Sequence, residues 1–143
     1  MKIIPAKQAP ARPVVEDVRP RVDDGRYDAK ATVGDAIDVS ADAFVDGHDE
    51  LRVDVLYRPD GDRAWQQVVM APEVNDRWHA SFRPDGVGRY EFQVRARVDR
   101  FATWLRDLRA RAAAGQDITG ELEVGARLAE EASGRASAGH AKQ

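Results

Sequence analysis

The run Tyr90–Val98 constrains the fold more than any other part of the chain. Tyr90, Phe92, Val94, Ala96 and Val98 alternate strictly with Glu91, Gln93, Arg95 and Arg97. A period of two is that of a strand with one face buried, and a slip of one residue would turn the charged set inward. The same alternation recurs in Ile37, Val39, Ala41 and Ala43, set among Asp38, Ser40 and Asp42. It recurs again in Leu51, Val53, Val55 and Tyr57, set among Arg52, Asp54, Leu56 and Arg58. Two further strands are expected over Trp65–Met70 and Arg77–Arg83, the second with Trp78, Ala80 and Phe82 on one face. Asp46-Gly47-His48-Asp49, Pro59-Asp60-Gly61-Asp62 and Pro84-Asp85-Gly86-Val87-Gly88 break the chain between them with turn residues. Short strands separated in this way predict a mainly β fold, a β-sandwich from about Val14 to Asp99. Val39, Val53, Val55, Trp78, Phe82, Tyr90, Phe92, Val94 and Val98 are the expected core.

At Asp99 the period changes. Phe101, Trp104, Leu105 and Leu108 stand at i, i+3, i+4 and i+7, so the sandwich is followed by one or two C-terminal α-helices within residues 100–132. Asp99 is placed to cap the first helix, and Gly115 lies just past its end. A weaker second helix is expected from Asp117 to about Ala132, with Ile118, Leu122, Leu128 and Val124 as its apolar stripe and Asp117 or Thr119 as its cap. Gly125 reads as a weak point inside it. Residues 133–143, rich in Gly, Ala and Ser, are expected to be a disordered tail, and residues 1–13, with three prolines and no apolar period, a flexible arm.

Composition narrows the function. At 143 residues the chain is too short for a (β/α)₈ barrel or a two-domain dinucleotide enzyme. It contains no cysteine, which excludes disulfides, thiolate zinc sites and cysteine nucleophiles. A net charge of -3 gives no reason to expect nucleic acid or an anionic lipid surface as a partner. No apolar run is long enough to span a membrane, and Met1-Lys2-Ile3-Ile4-Pro5 does not open a secretory signal, so a cytoplasmic protein is expected.

Residues that carry chemistry are few. Asp46, His48 and Asp49 are of metal-binding type, but no second histidine lies at ligand spacing and such residues serve turns, so no metal site is assigned. Adjacent carboxylates such as Glu16-Asp17 and Asp23-Asp24 match the residue types of a glycosidase pair, but adjacency is not that geometry. No P-loop, GxGxxG or GxSxG occurs, so neither a cofactor nor a catalytic residue is assigned. Of the three tryptophans, Trp78 and Trp104 share faces with other apolar residues and are expected inside. Trp65, beside a polar turn and followed by Gln66-Gln67, is the one candidate for stacking on a sugar ring. The stripe Phe101, Trp104, Leu105 and Leu108 is the candidate interface, because something must cover it.

The run Val14-Val15-Glu16-Asp17-Val18-Arg19-Pro20-Arg21-Val22-Asp23-Asp24-Gly25-Arg26-Tyr27-Asp28-Ala29-Lys30 resembles the opening of the bacterial alpha-1,4-glucan:maltose-1-phosphate maltosyltransferases of the alpha-amylase superfamily. Phe44 to Asp49, Asn75-Asp76-Arg77-Trp78, and Val98 to Trp104 with Arg106-Asp107-Leu108 are similar as well. The resemblance covers about residues 14 to 132 and implies an immunoglobulin-like N-terminal domain followed by the start of a helical segment. It implies an enzyme that extends α-1,4-glucans such as glycogen, whose catalytic carboxylates lie in a later barrel, so none is carried over to this chain. Asp28 departs from the family's Gly-Arg-Tyr-Pro-Ala-Lys pattern, and the stretch after Ala132 departs from its helical continuation. Two expectations follow: a non-catalytic accessory domain or fragment whose partners are the catalytic barrel and a second copy in a homodimer, or a stand-alone module that binds α-glucan or a protein.

Overall fold

A computed structural model describes residues 12–140, apart from the side chains of Asp24 and of residues 137–140. Most of the expected N-terminal arm and the last three residues of the expected tail lie outside this range. The chain divides into two compact units, one made of the segments through Gly47 and Leu51–Val98, the other of His48–Glu50 and the chain from Asp99 onward.

The first unit is a sandwich of two antiparallel sheets. Its strands are β1 (Val14–Arg19), β2 (Ile37–Phe44), β3 (Leu51–Pro59), β4 (Gln66–Val69), β5 (Ala71–Pro72), β6 (Arg77–Phe82) and β7 (Tyr90–Val98). One sheet has the order β1-β2-β6-β5 and the other β4-β3-β7. The alternating faces meet between the sheets: Val39, Ala43, Ala80 and Phe82 from one, Val53, Val55 and Tyr57 from the other. The rings of Tyr57 and Phe82 stack with centroids 4.1 Å apart. Of the expected core, Val39, Val53, Val55 and Phe82 are buried, whereas Trp78, Tyr90, Phe92 and Val94 are half-buried and pack against that cluster. Val98, at the end of its strand, is only partly covered.

Two features depart from the alternation. Asp54 and Leu56, expected on the wet face of β3, are buried. β3 is the central strand of its sheet, so long side chains of the neighbouring strands reach over its outer face. Met70, expected to end a strand, instead joins the two sheets. Its N–H donates to Val53 O at 2.8 Å at the end of β4, its side chain is buried in the core, and Ala71 then pairs with His79 in the other sheet.

Local chemistry explains the turns. Asn75 and Asp76 both take positive φ, 57° and 60°, as the two-residue hairpin between β5 and β6 requires, and Asn and Asp tolerate that region better than most residues. From β6, Arg77 ties three strands together. Its guanidinium donates to Asp17 Oδ2 at 2.8 Å, Asp42 Oδ1 at 2.9 Å and Ser40 Oγ at 2.7 Å. That clamp holds β1 where its register with β2 shifts, between Glu16 and Arg19. The hydrogen bonds from Arg19 and Arg77 hold the Asp17 carboxyl below the usual carboxylate range.

The second unit holds α1 (Arg100–Ala113) and α2 (Thr119–His140). Asp99 caps α1 as expected, its Oδ1 accepting from Ala102 N at 2.9 Å, and Gly115 takes φ 68° beyond the end. Asp117 Oδ1 accepts from the Thr119 N–H and hydroxyl at 3.0 and 2.7 Å, which holds the Asp117 carboxyl low. α2 does not stop near Ala132. It runs on through Ser133 to His140, over part of the stretch expected as a disordered tail. Alanines at 132, 136 and 138 with Arg135 favour helix enough to carry it past Gly134.

Candidate functional site

The four residues of the candidate interface stripe do not share one environment. In α1, Trp104 turns toward α2 and donates its indole N–H to Glu121 O at 2.6 Å. The indole lies over Gly125, where an added Cβ would stand only 2.2 Å from Trp104 Cζ2. Gly125 is buried, so the residue read as a weakness is the recess that accepts the largest side chain of the pair. Leu105 and Leu108 are half-buried beside it. Phe101 is the outlier: 54% exposed, with its ring 5.2 Å from that of Trp104. On α2, Leu122 and Val124, expected in the inner stripe, are exposed instead, whereas Ile118, Glu121, Gly125 and Leu128 are the more covered positions. Those four follow the helical period with a polar residue and a glycine among them, which is why an apolar count misses the stripe.

Ion pairs hold the pair of helices from outside. Arg111 Nε lies 3.0 Å from Glu121 Oε1, and Arg100 Nη1 lies 2.9 Å from Glu131 Oε2. The segment His48–Glu50 belongs to this unit. Arg106 donates to His48 O and to Glu50 Oε1, the latter at 2.8 Å. The Thr103 hydroxyl accepts from Glu50 N at 2.9 Å, and Asp99 N donates to Glu50 O at 2.8 Å. In the Asp46–Asp49 turn the His48 carbonyl thus serves a structural hydrogen bond to α1.

In the sandwich, Trp65 is 36% exposed, and the Arg58 guanidinium sits 4.2 Å from its ring centroid. One face of the indole is therefore occupied by a cation. Arg58 is itself fixed by Glu91 Oε2 at 2.8 Å. Next to Trp65, Gln66 accepts from the Tyr57 hydroxyl at 2.7 Å and donates to Asp85 at 3.3 Å. Burial, with the nearby Asp85 and Tyr90, pushes the Tyr57 phenol up.

The fold defines a class: a β-sandwich followed by a two-helix segment. The family profile for alpha-1,4-glucan:maltose-1-phosphate maltosyltransferase, domain N/S, matches residues 11–143. The chain belongs to that family and corresponds to its N-terminal domain. It is 41% identical over 125 residues to the maltosyltransferase of Chlorobaculum tepidum, covering 87% of this chain and 19% of that enzyme. It is 40% identical over 126 residues to the maltosyltransferase of Myxococcus xanthus, covering 85% and 19%. The maltosyltransferase of Burkholderia pseudomallei is 36% identical over 126 residues, covering 88% and 11%. The chain thus spans about a fifth or less of the length of these relatives. No helix among the described residues is long and apolar enough to cross a membrane.

Proposed function

We propose that this chain is a non-catalytic accessory domain of a cytoplasmic maltosyltransferase that extends α-1,4-glucans of the glycogen type from maltose 1-phosphate. Its role is assembly, through contacts with the catalytic barrel and with a second copy in a homodimer. The family match carries the reading. The order β1-β2-β6-β5 agrees with an immunoglobulin-like arrangement, and α1 begins where such a fold would continue with another strand beside β7. Phe101 is the surface candidate, because a phenylalanine more than half exposed beside a tryptophan is the kind of anchor that interfaces cover. Light scattering tests this: a dimer is expected for the chain, and a monomer for Phe101→Asp. A monomer at every concentration for the unmodified chain would remove the homodimer role. The chain alone is expected to release no phosphate from maltose 1-phosphate in the presence of glucan, and release would overturn the accessory reading.

A second reading, α-glucan binding at Trp65, draws on the exposed part of its indole beside Gln66. It requires a sugar to take the ring face left open by Arg58. Affinity electrophoresis in glycogen, with Trp65→Ala as the comparison, separates it from the first.

A further inference from the structure

On the outer face of the β4-β3-β7 sheet the charges balance at one end and not at the other. At the balanced end Arg58 and Glu91 meet at 2.8 Å. At the other, Arg52, Arg95 and Arg97 share one carboxylate, Asp54. The register sets Arg97 opposite Arg52 and Arg95 opposite Asp54, so the three cations occupy adjacent positions on one face. Arg52 Nε lies 3.1 Å from Asp54 Oδ1. Arg95 Nη2 and Arg97 Nη1 each stop 3.8 Å from Oδ2, beyond hydrogen-bond distance. Oδ2 is buried with no hydrogen-bond partner, so neither fork has docked on it.

Three guanidinium groups against one carboxylate leave a local excess of two positive charges in a chain whose net charge is -3. Arginine does not shed its proton, so the excess is permanent. Among the described residues no other acidic side chain lies within ion-pair distance of the three, whose side chains are 36%, 48% and 50% exposed. Two of the forks converge on one atom, and their nearest nitrogens are therefore no more than about 7.6 Å apart. That spacing lets one small anion bridge both, and like charges held so close gain from an anion that joins them.

We propose that Arg52, Arg95 and Arg97 form a binding site for a phosphate dianion, free or as a monoester, seated on the solvent side of the buried Asp54. A phosphate group carries about -1.5 to -2 at neutral pH, close to the local excess, whereas a carboxylate carries half as much. Guanidinium forks also suit its oxygens, two N–H groups to each pair.

The test uses the full chain titrated with inorganic phosphate, methyl phosphate and acetate at constant ionic strength. ³¹P line broadening and the shift in Tm are read together, since ligand binding to the folded state alone raises Tm. Saturable binding of inorganic phosphate is expected, weakened at least tenfold in Arg95→Gln/Arg97→Gln and unchanged in Arg89→Gln. Equal binding of methyl phosphate assigns the site to esters and binding of inorganic phosphate alone assigns it to the free anion; both uphold it. If the double variant loses its fold by circular dichroism, Arg95→Lys replaces it, keeping the charge but losing the fork, with a severalfold weaker affinity expected. No saturable response in the unmodified chain, an undiminished response in the folded variants, or an equal response to acetate overturns the proposal.

Discussion

Replacing Gly125 with alanine sets two opposing effects against each other. In an open helix the change is favourable by about 1 kcal/mol, the propensity difference between the two residues. At Gly125 the new Cβ would stand 2.2 Å from Trp104 Cζ2, against the 3.4 Å at which ordinary contact begins. The indole must retreat by about 1.2 Å, and its 2.6 Å hydrogen bond to Glu121 O cannot survive a movement of that size in most directions. Overpacking of this kind costs about 1 to 3 kcal/mol, and the lost hydrogen bond costs about 1 more. The net expectation is that Gly125→Ala destabilises the helical unit by about 1 to 3 kcal/mol. Gly134, in the same helix with nothing within 4 Å of its added Cβ, is the internal control, and Gly134→Ala should be neutral or stabilising. Urea unfolding followed by far-ultraviolet circular dichroism and tryptophan fluorescence measures both. In a Trp104→Leu background the smaller side chain should relieve the Gly125→Ala penalty by more than 1 kcal/mol, as a double-mutant cycle reads it. If Gly125→Ala stabilises the unmodified chain as much as Gly134→Ala does, the recess has no role and the reasoning fails.

Phe82→Ala removes a buried ring stacked on Tyr57 and should cost about 3 to 5 kcal/mol in denaturant unfolding. Asp99→Ala deletes the side chain that accepts from Ala102 N and should cost about 1 kcal/mol, with helical ellipticity lost before sheet signal on heating. Asp17 and Asp117 are both held below their ordinary carboxyl value of 3.8, so the stability each adds is present above that value and is lost as pH falls through its lowered folded value. Asp17→Asn should therefore flatten the acid limb of a Tm-against-pH curve and leave the slope near neutrality unchanged.

The sandwich was legible because its signal is local. Period-two alternation in β2, β3 and β7 needs no knowledge of neighbours, and Asp99 announces its helix by position alone. The burial of Asp54 and Leu56 was hidden, because it depends on β3 being flanked on both sides, a fact of sheet order. The inner face of α2 was misread for a related reason: it is built around a glycine and a glutamate backbone carbonyl that serve Trp104. The stripe Phe101, Trp104, Leu105 and Leu108 was found as a set, but which member turns outward is decided by α2. In the sequence Arg95 and Arg97 share a face with Glu91 and read, with Arg100, as ordinary surface charge. Only the β3–β7 register adds Arg52 and places the lone carboxylate among them.

Three connections pass between the two sheets: residues 45–50, residues 83–89, and the single residue Met70. β1 begins the sandwich in one sheet and β7 ends it in the other, with no ladder joining them. Val14 pairs with Phe44 and Val98 with Leu51, the two residues that flank the 45–50 loop, so tension applied between Val14 and Val98 opens the sheets from that end and does not unzip one ladder rung by rung. Met70 has no slack to let them part, because backbone hydrogen bonds hold the chain at Met70 in one sheet and at Ala71 in the other. Under load the sandwich should behave as two plates pinned by one short rivet, yielding when β4 or β5 tears away.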